Sequence, residues 1–570
     1  MTNQQDLPSH PIPYRIRIGV TGHRNLGDEA ALQAQVKHAI DNLVDDLFPM
    51  KSRPAVARVR QLGTTPISYR ILSPLADGAD RAVARAVLSY PHSCLDVVLP
   101  LVVEDYLETF ADDASRAEFG ELFSLCRNPV LLRTRRLRDE RSDKQGQDQL
   151  RRDSYARVGR YVVDHCDILI AVWDGEPARG RGGTANVVEY AQRQRRPILL
   201  VWGGEICVLN PGNKNVGLDA SALLSIDKFN LQSATVAYVN HLDYKHFEKP
   251  MTPQCIPAGP RAMVKEYLFP YYAKASSAAM KSQKQFHDAG KTIYTLSSAA
   301  VGCAALSVLF PPIAWVGYSA ELVVLCFVWL TFWEAERGHT REAWIENRFL
   351  AERIRSGIFL AICGVKPKPI EVLPFMGYSQ TANDWTVQVF DEIWGRLPKL
   401  APCSQQDCRC LNDYIRWVWI RGQIRFHKKK MMKEGKAGRQ LALAGKIVLP
   451  TTIVAAVLHL LLLAREPSSM TAESAHLLHR VVHQGLAFIA LLFPAAAASL
   501  AGMEAHREYR RLEKRSANMY RQLKRLNWEM KLATDPESFE TQLQQLDQEV
   551  MLRETQDWLM LMRYVEIKAG

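Results

Sequence analysis

The sequence predicts two joined structures: an N-terminal α/β domain on a parallel, doubly wound sheet, and an all-α C-terminal half with four transmembrane helices. Three observations predict it. Short apolar runs ending in Gly- and Asp-rich turns alternate with helical stretches over residues 13–205. Long runs free of charge, or nearly so, follow at 292–333, 447–464 and 481–503. Basic residues crowd the outer ends of those runs and thin out in the connectors between them.

At 570 residues the chain exceeds what one hydrophobic core organises, roughly 250 to 300 residues, so at least two units are expected. With 47% hydrophobic and 23% charged residues the average is that of a soluble protein, and only the late clustering of apolar residues reveals the membrane part. The net charge of +12 lies largely beside the apolar runs, which points to an anionic membrane surface rather than to nucleic acid. Residues 1–19 lack a basic segment followed by an apolar stretch, so no cleaved signal peptide is expected and the first domain is placed in the cytosol. The eleven cysteines are an odd count, and Cys94, Cys126, Cys166 and Cys207 sit in or near apolar segments, as buried reduced thiols do. Cys403, Cys408 and Cys410 have C-x4-C-x-C spacing, unlike the paired knuckles of structural zinc, so no metal is expected.

In chain order, the apolar run Ile16 to Val20 ends in Thr21-Gly22-His23-Arg24, and a helix is expected after Gly27, at Asp28-Glu29. Tyr69 to Pro74 reads as the second strand, running into Ala76-Asp77-Gly78-Ala79-Asp80 and a helix over Arg81 to Leu88. Leu95 to Val102 is the third strand. A helix around Asp153 to His165 leads to the strand Asp167 to Val172, the turn Trp173-Asp174-Gly175, a Gly-rich loop, a helix from Thr184 and the strand Pro197 to Trp202.

In such sheets ligands bind outside the carboxyl ends of the strands, where all four polar turns fall. Arg181-Gly182-Gly183-Thr184 at a helix start suits a phosphate, because glycine lets backbone N–H groups approach and the helix N-terminus carries partial positive charge. Arg24 and Arg81 are candidate bidentate phosphate ligands. Asp77, Asp80 and Glu189 are candidate acceptors for ribose hydroxyls, and His23 and Trp173 offer flat surfaces for a base. The candidate ligand site is therefore Thr21, Gly22, His23, Arg24, Ala76, Asp77, Gly78, Asp80, Arg81, Trp173, Asp174, Gly182, Gly183, Thr184 and Glu189.

Four segments, VTGHRNL at 20–26, SPLADGADR at 73–81, DILIAVWDG at 167–175 and GGTANVVEYA at 182–191, resemble the SLOG superfamily, which includes the LOG phosphoribohydrolases, DprA-like proteins and the N-terminal sensing region of TRPM channels. The resemblance spans roughly residues 13–205 and implies a Rossmann-like domain for nucleotides or nucleotide-derived messengers. LOG hydrolases carry P-G-G-x-G-T-x-x-E; here Gly182-Gly183-Thr184 lacks the second G-T step, and Glu189 follows the threonine by five residues rather than three. That displaces the carboxylate by about half a helical turn and favours a sensor without catalytic residues. The alternative is a membrane-tethered nucleotide or nucleoside-phosphate hydrolase with Glu189 and Asp80 as acid and base, and a third reading is a scaffold whose sheet binds protein.

In the C-terminal half, Glu321 is the one charge between Thr292 and Trp333, and Pro311-Pro312 with Gly317 breaks the run into a hairpin with Trp315 and Tyr318 at the interface. Ile447 to Ala464 and Val481 to Met503 form a second hairpin. Lys274, Lys281, Lys284 and Lys291 precede the first helix, Lys428 to Lys446 precede the third, and Arg507 to Arg515 follow the fourth. This bias places both termini and 334–446 in the cytosol. The expected organisation is a tail at 1–12, the SLOG-like domain at 13–205, a connecting region at 206–280, the first hairpin at 281–335, a cytosolic helical region at 336–446, the second hairpin at 447–503 and C-terminal cytosolic helices at 504–570.

Ala289-Gly290-Lys291 and Ala444-Gly445-Lys446 precede corresponding spans, Glu334-Ala335 and Glu504-Ala505 follow them, and each hairpin is trailed by a charged helix and then an acidic helix bearing Trp385 or Trp558. A tandem duplication is expected. A hairpin followed by a long cytosolic helix is similar to the SLATT family, two-helix membrane effectors that occur with SLOG domains in bacterial antiviral defence. The two resemblances together imply a multi-pass protein of the bacterial inner membrane, whose nucleotide second messenger, on the SLOG and TRPM precedent, is ADP-ribose-type ahead of a cyclic oligonucleotide and comes from a TIR-domain or cyclase partner; four helices are too few to enclose a wide pore, so a homo-oligomer is expected if the chain conducts ions. No cofactor beyond that ligand is expected. Ser298 and Gly302, Ala300 and Ala304, and Ala497 and Ala501 are small residues at helical spacing suited to close helix packing. Glu321 is the pore candidate or a residue snorkelling at the outer rim; His459 and His483 are interfacial or packed; Pro494 is expected to kink the fourth helix.

Overall fold

The structure is a computed structural model, which describes residues 10–47, 65–126, 129–132, 144–177, 182–203, 205–209, 220–233, 235–248, 256–367, 385–398, 405–464 and 473–548. Arg181, Cys403 and Trp558 lie outside the described residues. The chain divides into two compact units: Pro8–Ser233 with Ile370–Gly395, and Met1–Leu7 with Ala234–Pro369 and Arg396–Gly570.

The first unit is built on a seven-stranded sheet in the order β4-β3-β2-β1-β5-β6-β7. Its strands are β1 (Tyr14–Gly22), β2 (Ile67–Ser73), β3 (Cys94–Leu99), β4 (Val130–Leu131), β5 (Ile168–Val172), β6 (Ile198–Trp202) and β7 (Glu205–Leu209). All neighbouring pairs are parallel except β6 and β7. The succession runs outward from β1 in one direction through β4 and in the other from β5, so the winding reverses between β1 and β5. The helices α1 (Glu29–Leu47), α2 (Ala79–Leu88), α3 (Val103–Leu107), α4 (Asp113–Ser124), α5 (Lys144–His165), α6 (Thr184–Arg193) and α7 (Ala220–Leu231) fill the connections.

β1 is buried along both faces: Tyr14, Ile16, Ile18 and Val20 are at most 2% exposed, and Arg15 and Arg17 between them are buried too. A charge survives there only with a partner. Arg17 is gripped by Asp167, which accepts from its Nη2 at 2.7 Å, its Nε at 3.2 Å and its backbone N–H at 2.8 Å. This pins the start of β5 beside β1 and explains why the strand expected from Asp167 begins one residue later. The third strand ends at Leu99 rather than Val102, which instead precedes α3. The helix expected from Asp153 starts at Lys144.

The segment 336–446 is divided between the units. The helix α13 (Trp385–Gly395) belongs to the α/β unit, where Trp385 packs on Phe229 of α7 with ring centroids 5.9 Å apart and Glu392 pairs with Arg15. In the expected connecting region, β7 and α7 likewise join the sheet unit.

The second unit is helical: α8 (Val236–Asp243), α9 (Ala258–Tyr267), α10 (Phe269–Leu309), α11 (Ala314–Arg337), α12 (Thr340–Ile362), α14 (Gln405–Tyr414), α15 (Arg421–Ala464), α16 (Glu473–Arg507), α17 (Tyr509–Leu532) and α18 (Pro536–Gln545). Four helices, α10, α11, α15 and α16, are long and apolar enough to cross a membrane. The hairpin break falls at Phe310–Ile313, around Pro311-Pro312. Gly317 lies past it, inside α11, where a Cβ would sit 2.1 Å from Ser307 Oγ, so glycine lets α10 and α11 close up. None of the residues of α11 is buried, with Trp315, Leu322 and Trp329 each more than 60% exposed. Such a surface is stable in hydrocarbon and not in water.

The two hairpins share a plan. A helix of 41 or 44 residues (α10, α15) carries a span at one end, a second helix (α11, α16) returns, and a third of 23 or 24 residues (α12, α17) packs back along the first. Both turns into the third helix pass through a left-handed non-glycine residue, His339 (φ 45°) and Glu508 (φ 51°). In α17 the buried residues Leu512, Ser516, Met519, Leu523, Leu526 and Met530 step by four and three, the stripe of a helix that packs on one side only. The hairpins meet along α10 and α16 through small and polar residues. Ser298 and Ser499 hydroxyls are 2.7 Å apart, Gln484 Nε2 donates to the Leu309 carbonyl at 3.0 Å, and a Cβ on Gly502 would lie 2.4 Å from the Tyr294 ring. His459 and His483 pair between α15 and α16 at 2.9 Å. The helix α16 runs through Pro494.

Candidate functional site

The reversal between β1 and β5 opens a crevice at their carboxyl ends, the position at which open α/β sheets bind ligands. Backbone bonds fix its floor: the His23 N–H donates to Val172 O at 3.1 Å, and the Ala79 N–H donates to His23 O at 3.0 Å, tying the turns after β1, β2 and β5 together. Gly78 makes this possible. Its φ is +80°, and a Cβ there would lie 2.1 Å from the Arg24 carbonyl oxygen.

The result is a cleft of about 690 Å³, within the usual range for small-molecule sites. Thr21, Gly22, His23, Arg24, Ala76, Asp80, Trp173, Asp174, Gly182, Gly183 and Thr184 line it, so all four turns singled out in the sequence converge. The N-terminus of α6 opens onto it with Gly183 as N-cap, no side-chain cap and no acid in its first turn, leaving the dipole to meet an anion. Gly182, at φ +86°, presses on the backbone of Ala156 in α5 and accepts no larger residue.

Asp80 is the strongly perturbed carboxyl here. It is 6% exposed, its Oδ2 accepts the Ala76 N–H at 3.3 Å, and burial pushes its carboxyl up to about 7, against the opposing effects of that N–H, Arg24 and Arg81. Asp174 behaves oppositely: the Glu176 N–H, donating to Oδ1 at 3.0 Å, and His23, whose Nε2 is 3.1 Å away, hold it below the usual carboxylate range. Trp173 donates from Nε1 to the Glu176 carbonyl at 2.9 Å, so it braces the loop as well as facing the cleft.

Four of the expected ligand residues lie outside the cleft lining. Gly78 acts on the backbone, as described. Arg81 is 2% exposed and is held by protein partners: Nε donates to Leu75 O at 3.1 Å, Nη1 reaches Glu118 at 2.8 Å and Asp77 at 2.9 Å, and its guanidinium stacks over Phe110, while Nη2 is buried without a hydrogen-bond partner. It is a structural arginine fastening α2 to α4, and Asp77 is part of the same network. Glu189 is exposed, pairs with Arg193 at 2.5 Å and lines, with Arg160 and Tyr190, a groove that adjoins the cleft at Gly182 and Val187. The acid–base pair that hydrolysis would need, Asp80 with Glu189, therefore does not share a cavity.

Sequence reasoning missed Arg152, Tyr155 and Gly159, which line the cleft from α5 at helical i, i+3, i+7 spacing, together with Tyr106 and Trp202. The hydroxyls of Tyr106 and Tyr155 are buried without a hydrogen-bond partner, so each leaves a donor and acceptor unused beside the cleft. Trp202, 43% exposed and edge-on to His23 with centroids 5.2 Å apart, is the accessible aromatic face. No cluster of three potential metal ligands occurs among the described residues. Of the cysteines, Cys166 is buried as expected, Cys207 is exposed, and Cys410 is disulfide-bonded rather than free.

Comparison with protein-family models, with curated proteins and with solved structures gives no match for this chain.

Proposed function

We propose that this chain is a ligand-gated membrane effector: a Rossmann-like SLOG-type domain binds a nucleotide-derived second messenger, and the two SLATT-like hairpins, products of a tandem duplication, respond by opening a pore or disrupting the bilayer. The observation that carries this reading is the convergence of four polar turns and the uncapped N-terminus of α6 on one cleft, in a chain that also has four helices suited to a membrane. Arg24, Arg152 and the α6 N-terminus supply the phosphate end; Trp202, His23 and Trp173 supply the base end; Asp80, Tyr106 and Tyr155 supply sugar hydrogen bonds.

The ligand class favoured is ADP-ribose-type, ahead of a cyclic oligonucleotide, made by a TIR-domain or cyclase partner enzyme. The setting is bacterial antiphage defence at the inner membrane, with both termini cytoplasmic by the distribution of Lys and Arg. Four helices enclose no wide pore, so conduction requires a homo-oligomer. Glu321 lies seven residues into α11, about 10 Å from the hairpin end, and is the acidic group offered to a pore.

Asp80, poised near neutrality, is the one feature that favours the hydrolase alternative. The position of Glu189 outside the cleft weighs against it. Equilibrium dialysis of labelled ADP-ribose and of a labelled cyclic dinucleotide against the purified chain tests the reading. Saturable binding of one of them, lost in Gly183→Asp, is expected, with the ligand recovered intact. Binding of neither overturns it, and recovery of free base or ribose phosphate replaces it with the hydrolase.

A further inference from the structure

A second cavity, of about 590 Å³, lies in the helical unit between α10, α12 and α15, so both hairpin repeats contribute to it. Seven lysines and arginines line it against three carboxylates, Asp288, Glu352 and Glu434. One of those acids is already used: Glu352 pairs with Arg348 at 2.5 Å and with Arg355, which holds the two guanidinium groups in place, and the charge of Lys430 acts on the same carboxylate. At the back of the cavity His427 is 4% exposed, and its Nδ1 is buried with no hydrogen-bond partner. Burial, with Lys430, Arg355 and Arg515 nearby, pushes this imidazole down to about 3, so it is neutral and able to donate one N–H.

An excess of four positive charges, seven cations less three carboxylates, around a cavity that also holds the buried, unpartnered Nδ1 of His427 is an arrangement suited to an anion. We propose that this cavity binds a phosphate-bearing anion and thereby clamps the two hairpin repeats together. A monovalent anion is too small a match for the charge and volume; an oligophosphate, or a phosphorylated headgroup, fits both.

The cavity extends well away from the apolar spans. Lys284 lies eight residues before Thr292, about 12 Å along α10, and Lys433 lies fourteen before Ile447, about 21 Å along α15. A lipid phosphate reaches the near end and a soluble anion reaches both, which is how the two sources are told apart.

The probe is inorganic pyrophosphate, titrated calorimetrically into the full chain in a non-ionic detergent. The variants are Lys284→Gln and Lys433→Gln, both exposed positions whose change leaves the core intact. All three proteins carry Gly183→Asp, which blocks the phosphate end of the sheet domain's cleft, so that the helical cavity alone is read. The chain with both lysines is expected to bind, and each lysine variant to lose about tenfold in affinity, so this site and the messenger site can fail separately. If pyrophosphate does not bind, the chain in phosphatidylcholine nanodiscs is compared with the chain in nanodiscs containing phosphatidylglycerol. A rise in melting temperature on anionic lipid that Lys284→Gln abolishes assigns the site to the headgroup. Binding that neither lysine affects, or no response to either source, overturns the proposal.

Discussion

Replacing Asp80 by Asn should stabilise the protein at pH 8 and do much less at pH 4.5. The carboxyl is 6% exposed and titrates at about 7 in the fold, against about 3.9 for an unfolded chain. Its folded value is raised, so between those two pH values the folded state holds a proton that the unfolded state has released, and stability falls as pH rises through that window. Above pH 7 the penalty is complete. Three units at about 1.4 kcal/mol each bound it at about 4 kcal/mol, and a carboxyl that faces a water-filled cleft retains roughly half, about 2 kcal/mol. Asn keeps the acceptor for the Ala76 N–H and removes the charge. For a domain of this size that corresponds to a melting temperature roughly 4–8 °C higher at pH 8. At pH 4.5 only about a quarter of the difference should remain. Thermal unfolding followed by intrinsic tryptophan fluorescence at the two pH values measures it. A variant less stable than wild type at pH 8, or a gain independent of pH, would refute the assignment of a buried, charge-strained carboxyl.

Gly78→Ala places a Cβ at φ +80° against the Arg24 carbonyl, and a loss of about 2–4 kcal/mol is expected in the same assay; a neutral effect would mean that the turns are not packed as described. Glu189→Gln removes only an exposed pair with Arg193, so stability should change by less than about 0.5 kcal/mol and ligand affinity by less than about twofold, whereas a carboxylate in the binding site would show a large loss in dialysis. Gly502→Leu drives a side chain into Tyr294 at the α10–α16 seam, and size-exclusion chromatography in detergent should show loss of the monodisperse peak together with a destabilisation of about 1–3 kcal/mol.

The parts of this molecule that were legible in the sequence are those encoded locally. Uninterrupted apolar runs marked β5 and β6, as expected of strands buried on both faces of a parallel sheet, and apolar stretches broken by Arg17, Arg70 and Asp96 marked β1, β2 and β3. Span length and a pair of prolines were enough for the first hairpin. The two-residue β4 and the edge strand β7 were not read as strands: Val130–Leu131 is too short to show a period, and the apolar residues Ile206 to Leu209 of β7 follow Trp202 too closely to be separated from β6 by run length alone. Nor was the start of α5, whose first turns are polar and stabilised by helix formation rather than by burial.

In the site, turn chemistry identified the four loops, but side-chain direction required tertiary partners. Arg81 looks like a phosphate ligand until Glu118, thirty-seven residues away, claims it. Tyr106 and Tyr155 come from elements whose approach to the cleft follows only from the sheet order. Glu189 was the exception that helical geometry alone could place: five residues at 100° each turn it about 140° away from Thr184, off the cleft and onto the groove beside Arg160.

The central claim joins the cleft to the membrane, and its direct test is flux. Purified chain reconstituted in liposomes loaded with a self-quenching dye should release it when ADP-ribose or a cyclic dinucleotide is added, over the concentration range in which that ligand binds, and Gly183→Asp liposomes should stay sealed. Release without ligand at the same rate in wild type and variant, or ligand binding with no release of dye or ions at any occupancy, would contradict it.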